Sequence, residues 1–240
     1  MDYKEKIKFL EERIKSLNEI GLSLSKEDDT NVIFELIMEE AKNITNADGR
    51  TLYMISDDAK TMKFEILRTD SMNFAQGGTS GVDITIPPMQ LFDEQGNPKH
   101  SSIVTYSANT GKTVNIKDAY TEKGFDFTGA KTFDKDFGYR TTSVLSVPLK
   151  NHENDIVGVM QLINATDKES GKVIGFSDDM QEQVESLASQ GAVALTNKRL
   201  VKELKTLFES FIRLIATAID KKSEYTGGHC ERVPEITMLL

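Results

Sequence analysis

The chain has 240 residues, of which 38% are hydrophobic and 28% charged, and its formal net charge is −9 at pH 7. This composition suits a globular protein with a sizeable core, whereas the negative charge argues against a nucleic-acid or anionic-membrane partner, because such surfaces attract clustered lysine and arginine. Cys230 is the only cysteine, so no internal disulfide can form, in agreement with a reducing compartment. No apolar run approaches the ~20 residues of a membrane-spanning helix. We therefore expect a cytoplasmic protein without direct membrane insertion.

The N-terminal segment, residues 1–26, is predicted to be a coiled-coil-like helix. Its apolar positions alternate at spacings of three and four residues, which is a heptad seam that favours pairing with another helix. Gly21 weakens this seam, so an ordinary amphipathic helix that lies against the following domain is the alternative. The seam consists of Ile7, Leu10, Ile14, Leu17, Gly21 and Leu24.

The next segments predict a helix followed by a β-hairpin. The helix starts near Thr30, a candidate N-cap, and ends around Asn46. Alternating apolar residues at 51–55 and 62–67 then indicate two paired strands. Residues 77–100 are rich in glycine and proline and predict a long loop. Loops of this length usually have a use, and this one either caps a pocket or covers a sheet edge.

A second group of elements follows the loop. Residues 101–110 predict a short helix closed by Gly111, and residues 113–116 predict a strand. Residues 145–149 and 156–163 predict a second hairpin. Its last strand is mostly apolar, which is typical of a central strand that is buried on both faces.

The C-terminal half of the chain ends in a long predicted helix from Ser177, its N-cap, to Lys222. Its second part carries another heptad seam of apolar residues. Because exposed seams of this kind gain stability by pairing, we expect a parallel homodimer. The seam consists of Leu200, Leu204, Leu207, Phe211, Leu214 and Ala218.

Three segments carry a family resemblance. They are Ala108 to Tyr120 (ANTGKTVNIKDAY), Gly138 to Ser143 (GYRTTS) and Val157 to Asn164 (VGVMQLIN). In this order and spacing they resemble a GAF sensor domain, over roughly residues 29–200. The resemblance implies an α+β fold with a central antiparallel sheet flanked by helices, plus long N- and C-terminal signalling helices. It also implies a regulatory module that senses a ligand or dimerises, rather than a catalyst.

The candidate ligand site lies in the segment from residue 115 to 143. A helix that begins at Asp118 and Ala119 would expose N–H groups able to bind an anion, and the nearby rings and hydroxyls could line a pocket for a small molecule. The alternative is that the aromatic residues only seal one face of the sheet. The predicted ligand-binding residues are Asn115, Asp118, Ala119, Phe125, Phe133, Thr141, Thr142 and Asn164.

The sequence departs from the pattern of cyclic-nucleotide-binding GAF domains. Those domains carry Asn-Lys, a later Phe and an Asp-Glu pair. Here Asn164 is kept, but Ala165 replaces the lysine, Val173 is the nearest counterpart of the phenylalanine, and Ser177-Asp178 stands in place of Asp-Glu. The departure weakens the case for cyclic AMP or cyclic GMP and leaves both open.

The last residues show a second resemblance. Tyr225 to His229 (YTGGH), followed by Arg232-Val233, resembles the opening helix of an HD-GYP phosphohydrolase, a family that hydrolyses cyclic di-GMP at a site with two or three metal ions. In that family the histidine of this segment is a metal ligand, which points to His229. An exposed histidine without a metal is the alternative interpretation.

A working metal site needs several histidine and carboxylate ligands that converge on one point. The other histidines, His100 and His152, are not followed by aspartate as this motif requires. We therefore expect no catalytic residue and no cofactor in this chain, and a divalent metal only in a complete HD-GYP domain.

These observations predict four regions: a helix at 1–26, a GAF domain at 27–198, a signalling helix at 199–222, and the start of a truncated HD-GYP domain at 223–240. The predicted function is regulatory. A small molecule or cyclic nucleotide in the GAF domain would alter the packing of the long helix and so bias a cyclic di-GMP phosphodiesterase. The alternative is a dimerisation module without a ligand.

Overall fold

The computed structural model describes the backbone of residues 7, 19–24 and 26–222, and it describes the burial of side chains as far as residue 218. The chain divides into two compact units, with the boundary between Thr196 and Asn197. The predicted HD-GYP segment, including His229, lies outside the described residues, as do Leu10, Ile14 and Leu17 of the N-terminal seam. Residues 19–24 are helical, and Leu24 is 1% exposed within the domain core. At Leu24, therefore, the helix packs on its own domain, as the alternative interpretation proposed, and does not present that position to a partner helix.

The first unit is built on one antiparallel sheet with the strand order β3-β2-β1-β7-β6-β5, beside which β4 pairs with β2 and β8 with β7. The two predicted hairpins and the central position of β7 are confirmed. β1 begins earlier than predicted because residues from Ala47 onward pair with β7, a contact that local alternation does not signal. The strands are β1 (Ala47–Ile55), β2 (Thr61–Thr69), β3 (Phe74–Gly77), β4 (Met89–Gln90), β5 (Val114–Ile116), β6 (Val144–Lys150), β7 (Ile156–Thr166) and β8 (Val173–Ile174).

The helices are α1 (Thr30–Thr45), α2 (Ile103–Thr110), α3 (Thr128–Phe137) and α4 (Asp178–Lys222), with a short 3₁₀ turn at Asp70–Met72. The N-cap of α1 is Asp29, whose side chain accepts a hydrogen bond from the Asn31 N–H, so the predicted cap at Thr30 is one residue late. Ser177 caps α4 as predicted, because its hydroxyl accepts a hydrogen bond from the Met180 N–H at 3.2 Å. Among the described helices, none is both long and apolar enough to cross a membrane.

The predicted helix start at Asp118-Ala119 is wrong. Asp118 closes a local turn instead, since its side chain accepts from the Tyr120 N–H at 2.9 Å and its carbonyl oxygen from the Glu122 N–H at 3.1 Å. Aspartate commonly stabilises such turns in preference to a helix. The helix in this region is α3, and Asp126 accepts from its first N–H, that of Thr128, at 2.8 Å.

Both faces of the sheet are covered, because successive residues of a strand point to opposite sides. On one face, β-strand residues such as Met160 and Leu162 pack with α1 and with the first part of α4, which contributes Val184 and Leu187. On the other face a second apolar cluster joins the sheet to α2 and to the start of α3. The α+β fold with a central antiparallel sheet between helices is therefore confirmed.

Gly158 tests how closely β7 and β1 must approach. We expect Gly158→Ala to lower the free energy of unfolding by about 1 to 3 kcal/mol, because the added Cβ would lie 2.4 Å from the Tyr53 carbonyl oxygen. Gly129→Ala in α3 is the control, since its Cβ would meet nothing within 4 Å. That variant should be neutral or gain about 0.5 to 1 kcal/mol. Urea denaturation gives both values, and equal stability of the two variants would contradict the close approach.

Candidate functional site

A cavity of about 580 Å³ opens on the face of the sheet that packs against α2 and α3. Its floor is formed by β1, β2 and β7, and its walls by α2 and α3. Ile86 and Met89 of the long predicted loop also line it, while the loop's short strand β4 pairs with the edge of β2. The loop therefore does both things that its length suggested, capping a cavity and covering a sheet edge.

The floor of the cavity carries a polar pair. Thr51 of β1 and Gln161 of β7 are register partners and both line the cavity. The Tyr53 hydroxyl donates a hydrogen bond to Gln161 Oε1 at 3.0 Å. Burial raises the pKa of Tyr53 well above its usual value, so this hydroxyl stays protonated and remains a donor. The Gln161 amide is thereby oriented, with its Nε2 atom on the side away from Tyr53.

The far end of the cavity is closed by Tyr139. Its hydroxyl donates to Asp48 Oδ2 at 2.7 Å and accepts from Asn164 Nδ2 at 3.0 Å. Burial, followed by the hydrogen bond to Asp48, raises the pKa of Tyr139 far above its usual range. One hydroxyl thus joins the start of β1 to the end of β7.

Asn164 holds the segment that follows α3. Its backbone has a left-handed conformation with φ of 56°, which asparagine tolerates better than most residues. Its side chain donates to the Arg140 carbonyl oxygen at 2.7 Å and accepts from the Thr142 N–H at 2.7 Å. The segment is therefore fixed to β7 by side-chain hydrogen bonds.

Asp134 fixes α3 in the same way. It is 3% exposed, and its carboxylate accepts from the Tyr120 hydroxyl at 2.9 Å, the Thr141 hydroxyl at 2.9 Å and the Thr141 N–H at 2.8 Å. Three donors satisfy the buried carboxylate, which would otherwise be costly to bury. Because Thr141 also lines the cavity, this network sets the shape of its wall.

Comparison with known families agrees with this architecture. Residues 29–195 match the sequence profile of the GAF domain. The chain belongs to the GAF domain family. GAF domains are ligand-binding regulatory modules of signalling proteins, so the predicted regulatory role is confirmed at this level.

Individual relatives add detail. The chain is 30% identical over 142 residues to dual 3',5'-cyclic-AMP and -GMP phosphodiesterase 11A of Takifugu rubripes, a match that covers 59% of this chain and 15% of that protein. The chain thus spans a small part of the length of this relative.

Solved structures show the same fold. The GAF domain of the phosphoenolpyruvate-protein phosphotransferase from Acinetobacter aligns with a TM-score of 0.56 at 12% identity, covering 80% of this chain and 97% of the other. The corresponding domain from Coxiella burnetii aligns with a TM-score of 0.54 at 10% identity, covering 80% and 96%. At such low identity, these likenesses establish the GAF fold alone.

Of the residues predicted to bind a ligand, Phe133 and Thr141 line the cavity of this GAF domain. Asn115 does not, because its amide nitrogen donates to the Phe176 carbonyl oxygen at 3.2 Å and to Gln181 Oε1 at 3.0 Å, next to α4. The side chain of Asn115 points away from the cavity because its position in β5 places it on the face of the sheet that packs against α4.

The remaining predicted residues support the cavity without lining it. Asp118 and Ala119 form the turn before α3, where the Ala119 N–H donates to the Thr142 carbonyl oxygen at 2.8 Å. Phe125 packs edge-on against Tyr106, with ring centroids 5.4 Å apart. Thr142 is itself bound to Asn164 through its N–H, as described above. No helix start is present at Asp118 to bind an anion.

The floor of the cavity was not predicted from the sequence. Thr51, Tyr53, Gln161 and Ile163 all line it, and they come from two strands far apart in the sequence. One signal was available, since alternation places the first two on one face of β1 and the last two on one face of β7. Gln161 is a polar residue on an otherwise apolar face of the strand. Apolar packing does not explain a polar side chain at such a position, which therefore indicates a functional contact.

No group of three or more histidine, cysteine, aspartate or glutamate residues is placed to hold a metal ion within the described part of the chain. His229, the predicted metal ligand, lies outside that part. The charged residues that line the cavity are Arg50, Arg68 and Asp126.

Tyr139→Phe tests the hydroxyl bridge between β1 and β7. We expect the free energy of unfolding to fall by about 1 to 3 kcal/mol, because Asp48 and Asn164 both lose a partner. Tyr106→Phe is a matched control, since no hydrogen bond of its hydroxyl is present in the described structure, and its effect should stay below about 0.5 kcal/mol. Thermal and urea denaturation would measure both, and a harmless Tyr139→Phe would show that the bridge adds nothing.

Proposed function

We propose that this GAF domain senses a small ligand and controls a downstream HD-GYP cyclic di-GMP phosphodiesterase through α4. The observation that carries the sensing role is the cavity, whose volume of about 580 Å³ lies in the range of small-molecule sites, ~300 to 1,000 Å³. A layer that only sealed the sheet would fill this space with side chains. The oriented Gln161 amide on its floor supplies the polar contact that fixes a ligand.

Strand β7 supplies a route from the cavity to α4. Gln161 and Ile163 point to the cavity, whereas Met160 and Leu162 of the same strand pack in the core with Val184 of α4. A ligand that prefers one position of β7 thereby prefers one packing of the helix, which is the condition for coupling two sites. The contacts lie within residues 1–196, the first compact unit.

The output domain is proposed from the C-terminal sequence. Residues 225–233 resemble the opening of an HD-GYP domain, and they follow a helix that extends to Lys222. In the complete domain His229 would be one of the metal ligands. The relative from Takifugu rubripes is named a cyclic-AMP and cyclic-GMP phosphodiesterase, so cyclic nucleotides are among the ligands to test.

Native mass spectrometry tests the sensing role. The purified chain should carry a retained small-molecule mass, and Ala130→Trp should abolish it, because Ala130 lines the cavity on α3 and an indole there would occupy the ligand's space. Thr132→Trp places the same side chain on an exposed position of α3 and should leave the mass in place. A bare protein for the wild type and both variants would contradict the sensing role.

A second candidate is a dimerisation module that works without a ligand, and the surface of α4 favours it. Leu204, Leu207 and Leu214 are 66%, 68% and 68% exposed, and Leu200 and Phe211 are also exposed. These residues recur at the alternating spacing that a coiled coil uses. A second copy of the chain presents the same pattern, so a parallel homodimer would bury both surfaces. Such a dimer is also compatible with sensing.

Sedimentation at micromolar concentration tests the homodimer. The wild type should be a dimer, and Leu204→Asp combined with Leu207→Asp should shift it toward monomer, because two carboxylates cannot be buried in an apolar seam without a large cost. Thr206→Asp adds a carboxylate away from the seam and should remain dimeric. A monomeric wild type would refute the dimer.

A further inference from the structure

The amide of Gln161 offers hydrogen bonds that the protein does not use. Its Oε1 atom accepts from the Tyr53 hydroxyl at 3.0 Å, whereas no partner for its Nε2 atom is present among the described residues. An amide nitrogen carries two N–H donors. Donors that line a largely apolar cavity gain most when a ligand supplies an acceptor. The floor of the cavity is therefore arranged to bind a group with an acceptor oxygen or nitrogen.

The two arginines of the cavity wall are already paired. Arg50 contacts Asp70 at 3.0 Å and Glu39 at 3.1 Å. Arg68 contacts Glu35 and also donates to the carbonyl oxygens of the neighbouring strand β3.

The wall's one carboxylate, that of Asp126, accepts from the Thr128 N–H at 2.8 Å. An anionic ligand would leave water without a free counter-charge to receive it, which costs far more than the burial of a neutral group. The lining thus selects against a negative charge on the ligand.

The aromatic residues of the cavity favour a flat ligand. Phe64 lies against Tyr53 with ring centroids 4.7 Å apart on the sheet side, and Phe127 and Phe133 line the cavity from the α3 side. Ring surfaces on two sides suit a planar ligand that stacks on or between them.

We infer that the cavity binds a neutral, flat heteroaromatic compound that presents a hydrogen-bond acceptor to Gln161. This class includes nucleosides and their bases and leaves out the cyclic nucleotides, whose phosphodiester carries a negative charge. The inference rests on the proposed sensing function and specifies the chemistry of its ligand.

Calorimetric titration of the full chain with two matched pairs of probes tests the inference. Guanosine differs from cyclic GMP, and adenosine from cyclic AMP, by the charged phosphodiester. We expect at least one nucleoside to bind about tenfold or more tightly than its cyclic nucleotide, a difference of about 1.4 kcal/mol. A cyclic nucleotide that binds as tightly as its nucleoside would overturn the inference, and so would a failure of both nucleosides to bind.

Variants of Gln161 locate the contact. Gln161→Leu removes the donors, and Gln161→Glu replaces them with acceptor oxygens at nearly constant shape, so that one variant remains informative if the other folds poorly. Each should weaken nucleoside binding about fivefold or more. Gln90→Leu, on the exposed strand β4, should bind like the wild type. Undiminished binding in both Gln161 variants would overturn the assignment.

Native mass spectrometry separates this inference from the proposed function. A retained ligand mass together with no nucleoside binding would overturn the neutral-heteroaromatic class and leave the sensing role standing. A wild-type protein that carries no retained small-molecule mass and binds none of the four titrated compounds would overturn both this inference and the proposed sensing function.

Discussion

The alternation of side chains over residues 159–163 of β7 is the constraint on which both the cavity and the helix packing depend. β7 pairs with β1 on one side and β6 on the other, and these five residues point by turns to the cavity face and the helix face. Met160 and Leu162 are fully buried against the helices, while Gln161 and Ile163 line the cavity. A slip of one residue would place the amide in the core and open the helix packing. The register is thus fixed by core and cavity together.

The chain between β5 and β6 depends on side-chain hydrogen bonds because it has little regular structure of its own. Asp134 holds α3 to Thr141, and Asn164 holds the segment from Arg140 to Thr142 to the end of β7. Both oxygens of the Asp134 carboxylate make hydrogen bonds, and so do the oxygen and the nitrogen of the Asn164 amide. Buried polar networks that are fully satisfied specify one arrangement, which explains how α3 and the loops that flank it keep a defined cavity wall.

The sequence predicted those elements whose signals act over a few neighbouring residues. The hairpins and α1, α2 and α4 were predictable because strand alternation and caps such as Ser177 and Gly111 act over a few residues. The start of α3 was not, because its N-cap is Phe127, whose side chain makes no capping hydrogen bond, whereas Asp118 has the residue type of a cap but closes a turn. Phe133 and Thr141 were found because they lie within one polar and aromatic segment. The Thr51 and Gln161 pair was not found, because strand register links residues that no local pattern connects.

The departures from the cyclic-nucleotide pattern are consistent with one another in the structure. Ala165, where that pattern has lysine, is fully buried in the apolar core, and a lysine there would need a buried carboxylate partner. Ser177, at the first position of the acidic pair, caps α4 instead. Asn164, the residue that the chain shares with that pattern, fixes the segment after α3 to β7 through hydrogen bonds alone. The same preference for neutral groups appears in the cavity, where the arginines are paired within the protein and the free donors belong to an amide.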